Sequence, residues 1–398
     1  MQVPTPRRRK AGTSIELFTG GGGLAIAMHQ AGFDHLLLNE TDHRACETLR
    51  ANRAVPADRP RKGRWPLIEG DVRQIDFTGW DSQVDVLAGG VPCQPWSLGG
   101  AHRGREDPRN LWPEFGRAMR ETHPRAIIAE NVKGLLRPAF AGYWDYTLRC
   151  LQAPHEERLL GEDWPDHDRR LRKTLAAGTV PYDERYNVAF LPVNAADYGV
   201  PQVRHRVVVV GFRADLGIDW TWPKPIRSDR ALRQAQADGS YWDEHRIAPR
   251  PVEQPRAVAR PDGGEAEAVL RWLTLRDAIA GLPEPLGHKV EHPDWAHHYG
   301  WDGARIYPGH TPNGLDRPAK TVKAGVHGVP GGETVVRRDD GSIRYLTVRE
   351  VARVMNFPDE WRLEGPRGEQ MRQLGNAVPV QLGRVFADAV ARVLPPRP

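Results

Sequence analysis

The sequence predicts an α/β fold: a largely parallel sheet whose strand carboxyl ends carry the chemistry, followed by a smaller, irregular region. Three observations predict it. Short apolar runs at residues 14–18, 35–39, 67–68, 84–88 and 124–129 each end in glycine or an acid. The first of them opens into a glycine turn and a helical stretch, the strand–turn–helix start of a Rossmann-like fold. From about residue 214 the periodicity breaks down into Pro, Arg and Trp, which marks a different kind of structure.

At 398 residues the chain is long enough for one large or two medium domains. Its 39% hydrophobic and 27% charged content is that of a soluble enzyme. The three cysteines, Cys46, Cys93 and Cys150, are widely spaced and make neither a disulfide framework nor a metal knuckle, so a reducing, cytoplasmic setting is expected. No apolar run reaches membrane-spanning length, and the amino terminus lacks a signal-peptide core. A net charge of +5 is compatible with a polyanionic partner.

In chain order, Ser14-Ile-Glu-Leu-Phe18 reads as the first strand, Thr19-Gly-Gly-Gly-Gly23 as the turn, and residues 24–31 as an amphipathic helix closed by Gly32. Gly20, Gly22 and Gly23 let the backbone approach a ligand closely. The second strand, 35–39, ends in Glu40, about twenty residues past the turn, where an acid commonly bonds two ribose hydroxyls. Asp42 competes for that role, but Glu40 lies nearer the strand end. A third strand end follows at Leu67-Ile-Glu-Gly-Asp71-Val72, where Asp71 suits an adenine amino group. Three such ends in succession favour adenosine. No lysine follows the glycines, so a phosphate-poor adenosyl ligand fits best.

Val84-Asp-Val-Leu-Ala-Gly-Gly-Val-Pro-Cys93-Gln-Pro-Trp-Ser97 reads as a buried strand leaving into a stiff turn. Gly89, Gly90 and Pro92 hold Cys93 at the strand's carboxyl end, where open α/β sheets bind ligands. A buried structural cysteine is the plainer alternative. Residues 98–110 are glycine-rich and basic, with Arg103, Arg105 and Arg109, as a loop closing over a phosphate backbone would be. A helix over 111–121 leads to the strand of 124–129, which ends in Glu130-Asn131-Val132. A strand-end acid near a strand-end cysteine suggests a nucleophile paired with an acid.

Residues 137–187 form a charged insertion, read as a helical elaboration behind the sheet or as extra surface facing the polyanionic partner. Residues 187–196 and 206–212 read as strands, the second a valine run suited to a sheet interior. Residues 271–279 form a short helix. His288, His292, His297 and His298 cluster loosely without a cysteine, which is not a zinc pattern. A strand and a helix over 347–355 follow, and 379–393 is a terminal helix that, packed under the first strand, makes the large domain discontinuous.

Taken together, these fragments resemble the bacterial DNA cytosine-5 methyltransferases of restriction-modification type over nearly the whole chain. Phe18-Thr-Gly-Gly-Gly-Gly23 looks like the family's cofactor motif, Pro92-Cys93-Gln94 its catalytic motif, and Glu130-Asn131-Val132 the motif of the second catalytic group. Gln202-Val-Arg204-His-Arg206 is similar to its paired-arginine motif. Arg317-Pro-Ala-Lys-Thr321 resembles the motif organising the recognition domain, and Gly375-Asn376-Ala-Val-Pro379 the closing motif. Six in order make chance an unsatisfactory explanation.

The resemblance implies a Rossmann-like S-adenosylmethionine-dependent methyltransferase fold with a smaller, irregular, mainly β target-recognition domain. It implies a catalytic domain over 12–213 completed by 368–394, a recognition domain over 214–345, and a returning segment over 346–398. The implied reaction is methyl transfer to carbon 5 of a flipped-out cytosine in duplex DNA, with Cys93, Glu130, Arg204 and Arg206 catalytic. S-adenosyl-L-methionine would lie against Phe18, Gly20, Gly22, Gly23, Glu40, Asp71, Val72, Pro92 and Asn376. DNA would meet Gln94, Ser97, Arg103, Arg105, Arg109, Gln202, Arg317 and Thr321, with no metal required. A monomer paired in function with a cognate restriction endonuclease is expected.

The chain departs from the family pattern at Thr41, where an aromatic is common, at Gly21, where a branched residue is usual, and at Trp96, where phenylalanine is commoner. Related RNA cytosine-5 enzymes generally place the nucleophile in the region where this chain has Glu130-Asn-Val. A transfer-RNA methyltransferase and a silent DNA-binding regulator on the same fold stand as rivals.

Overall fold

The structure, a computed structural model, describes residues 10–92, 110–250, 269–306, 308–324 and 334–397. Up to residue 152 the elements are β1 (Gly12–Leu17), α1 (Gly23–Gln30), β2 (Phe33–Glu40), α2 (His43–Asn52), β3 (Ala54–Pro56), β4 (Trp65–Glu69), β5 (Val86–Gly90), α3 (Trp112–Thr122), β6 (Ala126–Val132) and α4 (Ala141–Gln152). Then come α5 (Trp164–Ala177), β7 (Tyr186–Asn194) and β8 (His205–Arg213).

These eight strands form one sheet in the order β3-β4-β2-β1-β5-β6-β8-β7. β8 runs antiparallel to both neighbours, and the remaining pairs are parallel. The order turns at β1 and β5: the chain builds outward from β1 through β2 on one side and from β5 through β6 on the other. That switch point opens a crevice beyond the strand carboxyl ends.

Both faces are buried, as the period-two alternation requires. Val86, Ala88, Ile128, Val208 and Val210 face one apolar layer, shared with α1. Ile15, Leu87, Ile127, Val207 and Val209 face the other, covered by Phe115 of α3 and Trp144 of α4. α5 packs against α4 through Tyr146 and Leu171, so the charged insertion is a helical elaboration behind the sheet.

The remaining elements are β9 (Arg227–Ser228), α6 (Asp229–Ala237), α7 (Ser240–His245), β10 (Leu270–Arg271), α8 (Leu275–Ile279), β11 (Asn313–Gly314), β12 (Val335–Arg337), β13 (Ile343–Tyr345), α9 (Val348–Val354), α10 (Arg367–Asn376) and α11 (Val380–Val393). Between 214 and 345 the described strands form two small sheets, of two and three strands, beside three short helices. α8 and α9 begin at capping boxes, Thr274 with Asp277 and Thr347 with Glu350.

One expected element differs. α1 is not amphipathic: every residue from Gly23 to Met28 is buried. The sheet covers one side of it and α11 the other, so only its last turn, at His29 and Gln30, reaches solvent. No helix among the described residues is long and apolar enough to cross a membrane.

Candidate active site

The glycine turn is strained into shape and tied from below. Phe18 and Gly20 both take left-handed backbone angles, φ 58° and 56°, so the chain reverses directly after β1. Glu40, at the end of β2, accepts the Gly20 N–H at 2.6 Å with one oxygen. Its other oxygen accepts N–H groups of Thr41 at 2.9 Å and Asp42 at 2.8 Å. An ionised carboxylate has about four acceptor positions, so roughly one remains for a ligand hydroxyl. Burial pushes the Glu40 carboxyl above its ordinary range, and these three bonds only partly offset that.

Asp42 is occupied elsewhere: it caps α2 by accepting the Ala45 N–H and pairs with Arg372 at 2.8 Å. Asp71 caps the turn after β4, taking the Arg73 N–H and guanidinium, and remains accessible. Val72 beside it is core, 3% exposed.

The glycines divide by cause. A Cβ on Gly20 would meet nothing within 4 Å, so that position faces open space. A Cβ on Gly22 would lie 2.8 Å from the Trp361 ring, and one on Gly23 only 2.2 Å from the Val378 carbonyl oxygen. At Gly22 and Gly23, then, packed protein at the Cβ position is by itself enough to require glycine.

Glu16, which sequence reading passed over, lies in β1 at 1% exposure. Its Oε2 has no hydrogen-bond partner among the described atoms. Burial pushes its carboxyl well above the usual range, the Ala25 N–H pulls it down and the nearby Glu40 charge adds to the rise. The available clue was an acid inside an apolar strand.

On the other side of the switch point, β5 ends at Gly90 and pairs in register with Glu130 of β6. Asn131 donates from Nδ2 to the Val91 carbonyl at 3.3 Å, holding the segment that leads through half-buried Pro92. Arg206 sits across from Val132 on β8 and brings its Nε within 2.5 Å of Glu130 Oε1. The pair is an ion contact without hydrogen-bond alignment: Glu130 Oε1 is buried and lacks a hydrogen-bond partner.

Cys93 follows Pro92 in sequence, but Cys93, Gln94, Ser97, Arg103, Arg105 and Arg109 lie outside the described residues. Of the other cysteines, burial pushes the Cys46 thiol up to about 12 and the Cys150 thiol up to about 11. Neither yields thiolate near neutral pH, and the thiolate is the nucleophile.

The paired arginines separate. Arg206 reaches the acid, whereas Arg204 is 1% exposed and donates to the carbonyls of Val322 at 2.8 Å, Gly375 at 2.8 Å and Ala377 at 3.0 Å. The i,i+2 spacing would put both on one face only inside a strand. β8 starts at His205, so Arg204 falls in the preceding turn and points into the seam.

Gln202 belongs to the same seam: it is wholly buried, accepts the Val322 N–H and donates to the Met355 sulfur. Thr321 donates its hydroxyl to the Val203 carbonyl at 2.8 Å. Arg204 and Gln202 thus act as struts rather than as groups open to a base or to DNA, and the Thr321 hydroxyl is committed to the same join. Arg317 stays half exposed and pairs with Asp229 at 2.8 Å. Asn376 is exposed at the end of α10, beside the segment that packs on Gly23.

Comparison with known proteins accounts for this arrangement. The family model of C-5 cytosine-specific DNA methylases matches residues 12–152, 181–252 and 297–392. The type II methyltransferase M.Eco47II of Escherichia coli is 33% identical over 96% of this chain and 79% of its own. The type II methyltransferase M.NgoMIV of Neisseria gonorrhoeae is 30% identical over 96% and 98%. The crystal structure of the S. pombe Dnmt2 methyltransferase superposes with a TM-score of 0.53 at 16% identity, covering 96% of this chain and 98% of that one, a likeness of fold. Six motifs in family order and a family match over most of the chain lead to one assignment: this chain is a C-5 cytosine-specific DNA methylase.

Proposed function

We propose that the chain transfers a methyl group from S-adenosylmethionine to carbon 5 of a cytosine flipped out of a specific duplex sequence, with Cys93 as covalent nucleophile. The observation that carries this reading is the Glu130–Arg206 contact. It supplies a buried acceptor lacking a hydrogen bond, in register with Gly90 and three residues before Cys93.

The residues at the glycine turn fit an adenosyl sulfonium. Open space at Gly20, the acceptor position left on Glu40 and the unpartnered Oε2 of Glu16 suit a ligand offering hydroxyls and positive charge. Phe18, Asp71, Pro92 and Asn376 complete the proposed cofactor surface. When bound, the cofactor supplies an electrophilic methyl group.

The chain's own residues do the rest. The Cys93 thiolate forms a bond to carbon 6, and the displaced electron pair makes carbon 5 nucleophilic. Glu130 gives a proton to the ring nitrogen and accepts from the exocyclic amine as that charge develops, and Arg206 holds Glu130 and the base carbonyl. After transfer the carbon-5 proton leaves to a base, and the sulfur–carbon bond breaks to return the thiolate.

The proposed working units are 12–213 with 368–394 for catalysis, 214–345 for reading the duplex, and 346–398 as the return. Gln94, Ser97, Arg103, Arg105 and Arg109 are proposed to meet the DNA. By analogy with relatives named type II methyltransferases, the protein would act as a cytoplasmic monomer protecting host DNA from a cognate endonuclease.

The test uses labelled S-adenosylmethionine with a duplex of many sequence contexts, comparing wild type with Cys93→Ser. Label on cytosine carbon 5 in the wild type alone supports the reading, and bisulfite sequencing locates the site. Label on RNA but not DNA replaces it with RNA methylation, and no label with tight DNA binding removes the enzyme.

A further inference from the structure

The glycine turn is held from two sides. Glu40 takes the N–H of Gly20 from the direction of β2. From the opposite direction the indole N–H of Trp361 donates to the carbonyl of Gly21 at 3.1 Å, with the ring pressed under Gly22. Trp361 is 5% exposed and packs against Trp65 at 5.8 Å between ring centroids. It therefore makes no part of the open crevice, and it fixes the main chain that does.

Trp361 is itself fixed from the far side of the molecule. Arg349 of α9, wholly buried, donates to the carbonyls of Trp361 at 3.1 Å, Pro358 at 3.1 Å and Ala296 at 3.0 Å. Its own N–H donates to the His297 carbonyl, and His297 Nε2 accepts the Leu363 N–H at 3.0 Å. One guanidinium thus ties the chain at Ala296, late in the proposed recognition region, to the residue beneath the turn. A guanidinium suits this because its planar, forked donors serve several carbonyls at once.

We propose that Trp361 is a positioning residue for the cofactor turn and that Arg349 sets its place. Trp361 holds the Gly21 carbonyl and underlies the left-handed Gly22, fixing the path that leaves Gly20 open to the ligand. The inference rests on the reading that this turn binds S-adenosylmethionine. Its effect falls on cofactor affinity, because Trp361 is buried beneath the turn and bonds to its main chain.

The test is titration calorimetry with S-adenosylhomocysteine on the full chain, wild type against Trp361→Phe, with steady-state methylation in parallel. Phenylalanine keeps the ring wall and removes the donor. Loss of one buried hydrogen bond predicts a dissociation constant about 3- to 10-fold higher. KM for DNA and kcat at saturating cofactor should stay within about twofold, since a positioning role for the turn alone leaves the transition-state contacts intact. Hydrogen exchange at residues 20–24 in the ligand-free protein should quicken in the variant, a readout that needs no ligand. The double variant with Arg349→Lys should bind cofactor no more weakly than Trp361→Phe alone, as expected for residues acting in series.

Unchanged affinity and unchanged exchange in Trp361→Phe would overturn the proposal. So would a parallel fall of kcat, DNA binding and folded fraction, which marks a merely structural tryptophan. A wild type that fails to bind S-adenosylhomocysteine would instead remove the cofactor reading beneath it.

Discussion

In the large sheet, β5 is bonded on both sides by parallel neighbours and buries both faces in apolar layers. In the described part of 214–345 no strand exceeds three residues, and the separate apolar cluster there is Leu232, Tyr241 and Trp242. Charge takes over much of the holding. Arg276 alone grips Asp316 at 2.7 Å and Asp339 at 2.7 Å, Arg250 joins Asp339, and Tyr241 donates to Asp316 at 3.0 Å. A surface held by main-chain ladders and apolar contact keeps strand ends rigid enough for chemistry. One held by forked side-chain pairs leaves loops whose shape is set by the pairs themselves, which suits the DNA-reading role proposed for it.

The contrast can be tested at its strongest point first. Cys93→Ala should lower methyl transfer by about 10³-fold or more, and Glu130→Gln by about 10²- to 10⁴-fold, with cofactor affinity within about twofold in calorimetry. Retained turnover in either would detach the chemistry from the strand ends. Arg204→Met should destabilise the fold by about 3–5 kcal/mol in urea titration, because it strands buried carbonyls at the seam joining the two regions. A loss below about 1 kcal/mol would make Arg204 a spectator.

Arg276→Gln should cost only about 1 kcal/mol, since its pairs are partly solvated. Its expected signature is selective: weaker discrimination between DNA sequences, with S-adenosylhomocysteine binding unchanged. High salt should likewise reduce DNA discrimination before it disturbs cofactor binding. Equal salt sensitivity in both activities would erase the contrast.

The smallest effect concerns Glu16, whose folded-state carboxyl stands well above its ordinary range. Its stabilising contribution is complete below the unfolded value and is lost as pH rises through the folded one. Glu16→Gln removes that loss. The variant should melt at the same temperature as wild type near pH 4 and higher than it at pH 8, while binding the cationic cofactor more weakly. A variant that melts lower at pH 8 would contradict a buried carboxyl whose Oε2 lacks a partner.

The sheet was legible because its information is local. Alternating apolar residues mark strands, Gly89 and Gly90 mark an exit, and Glu40 and Glu130 stand as acids at strand ends. Arg204 and Gln202 were misread because they belong to a motif whose other arginine does face the acid. Only the start of β8 at His205 separates the two roles. Gly22 and Gly23 were read as ligand approaches because a glycine reports that something comes close without saying what. The packing of Trp361 and Val378 supplies the answer from more than 300 residues away.

By itself, then, the sequence determined the α/β class, the order of strand ends and the family, all written in short-range periodicity and contiguous motifs. Tertiary structure alone decided which arginine meets Glu130, why α1 has no polar face, and what grips the glycine turn from beneath. Those outcomes depend on contacts between residues far apart in the chain, whose partners are chosen by packing geometry and the burial of polar groups. Composition at either end of such a contact looks the same whether the partner is solvent, ligand or protein.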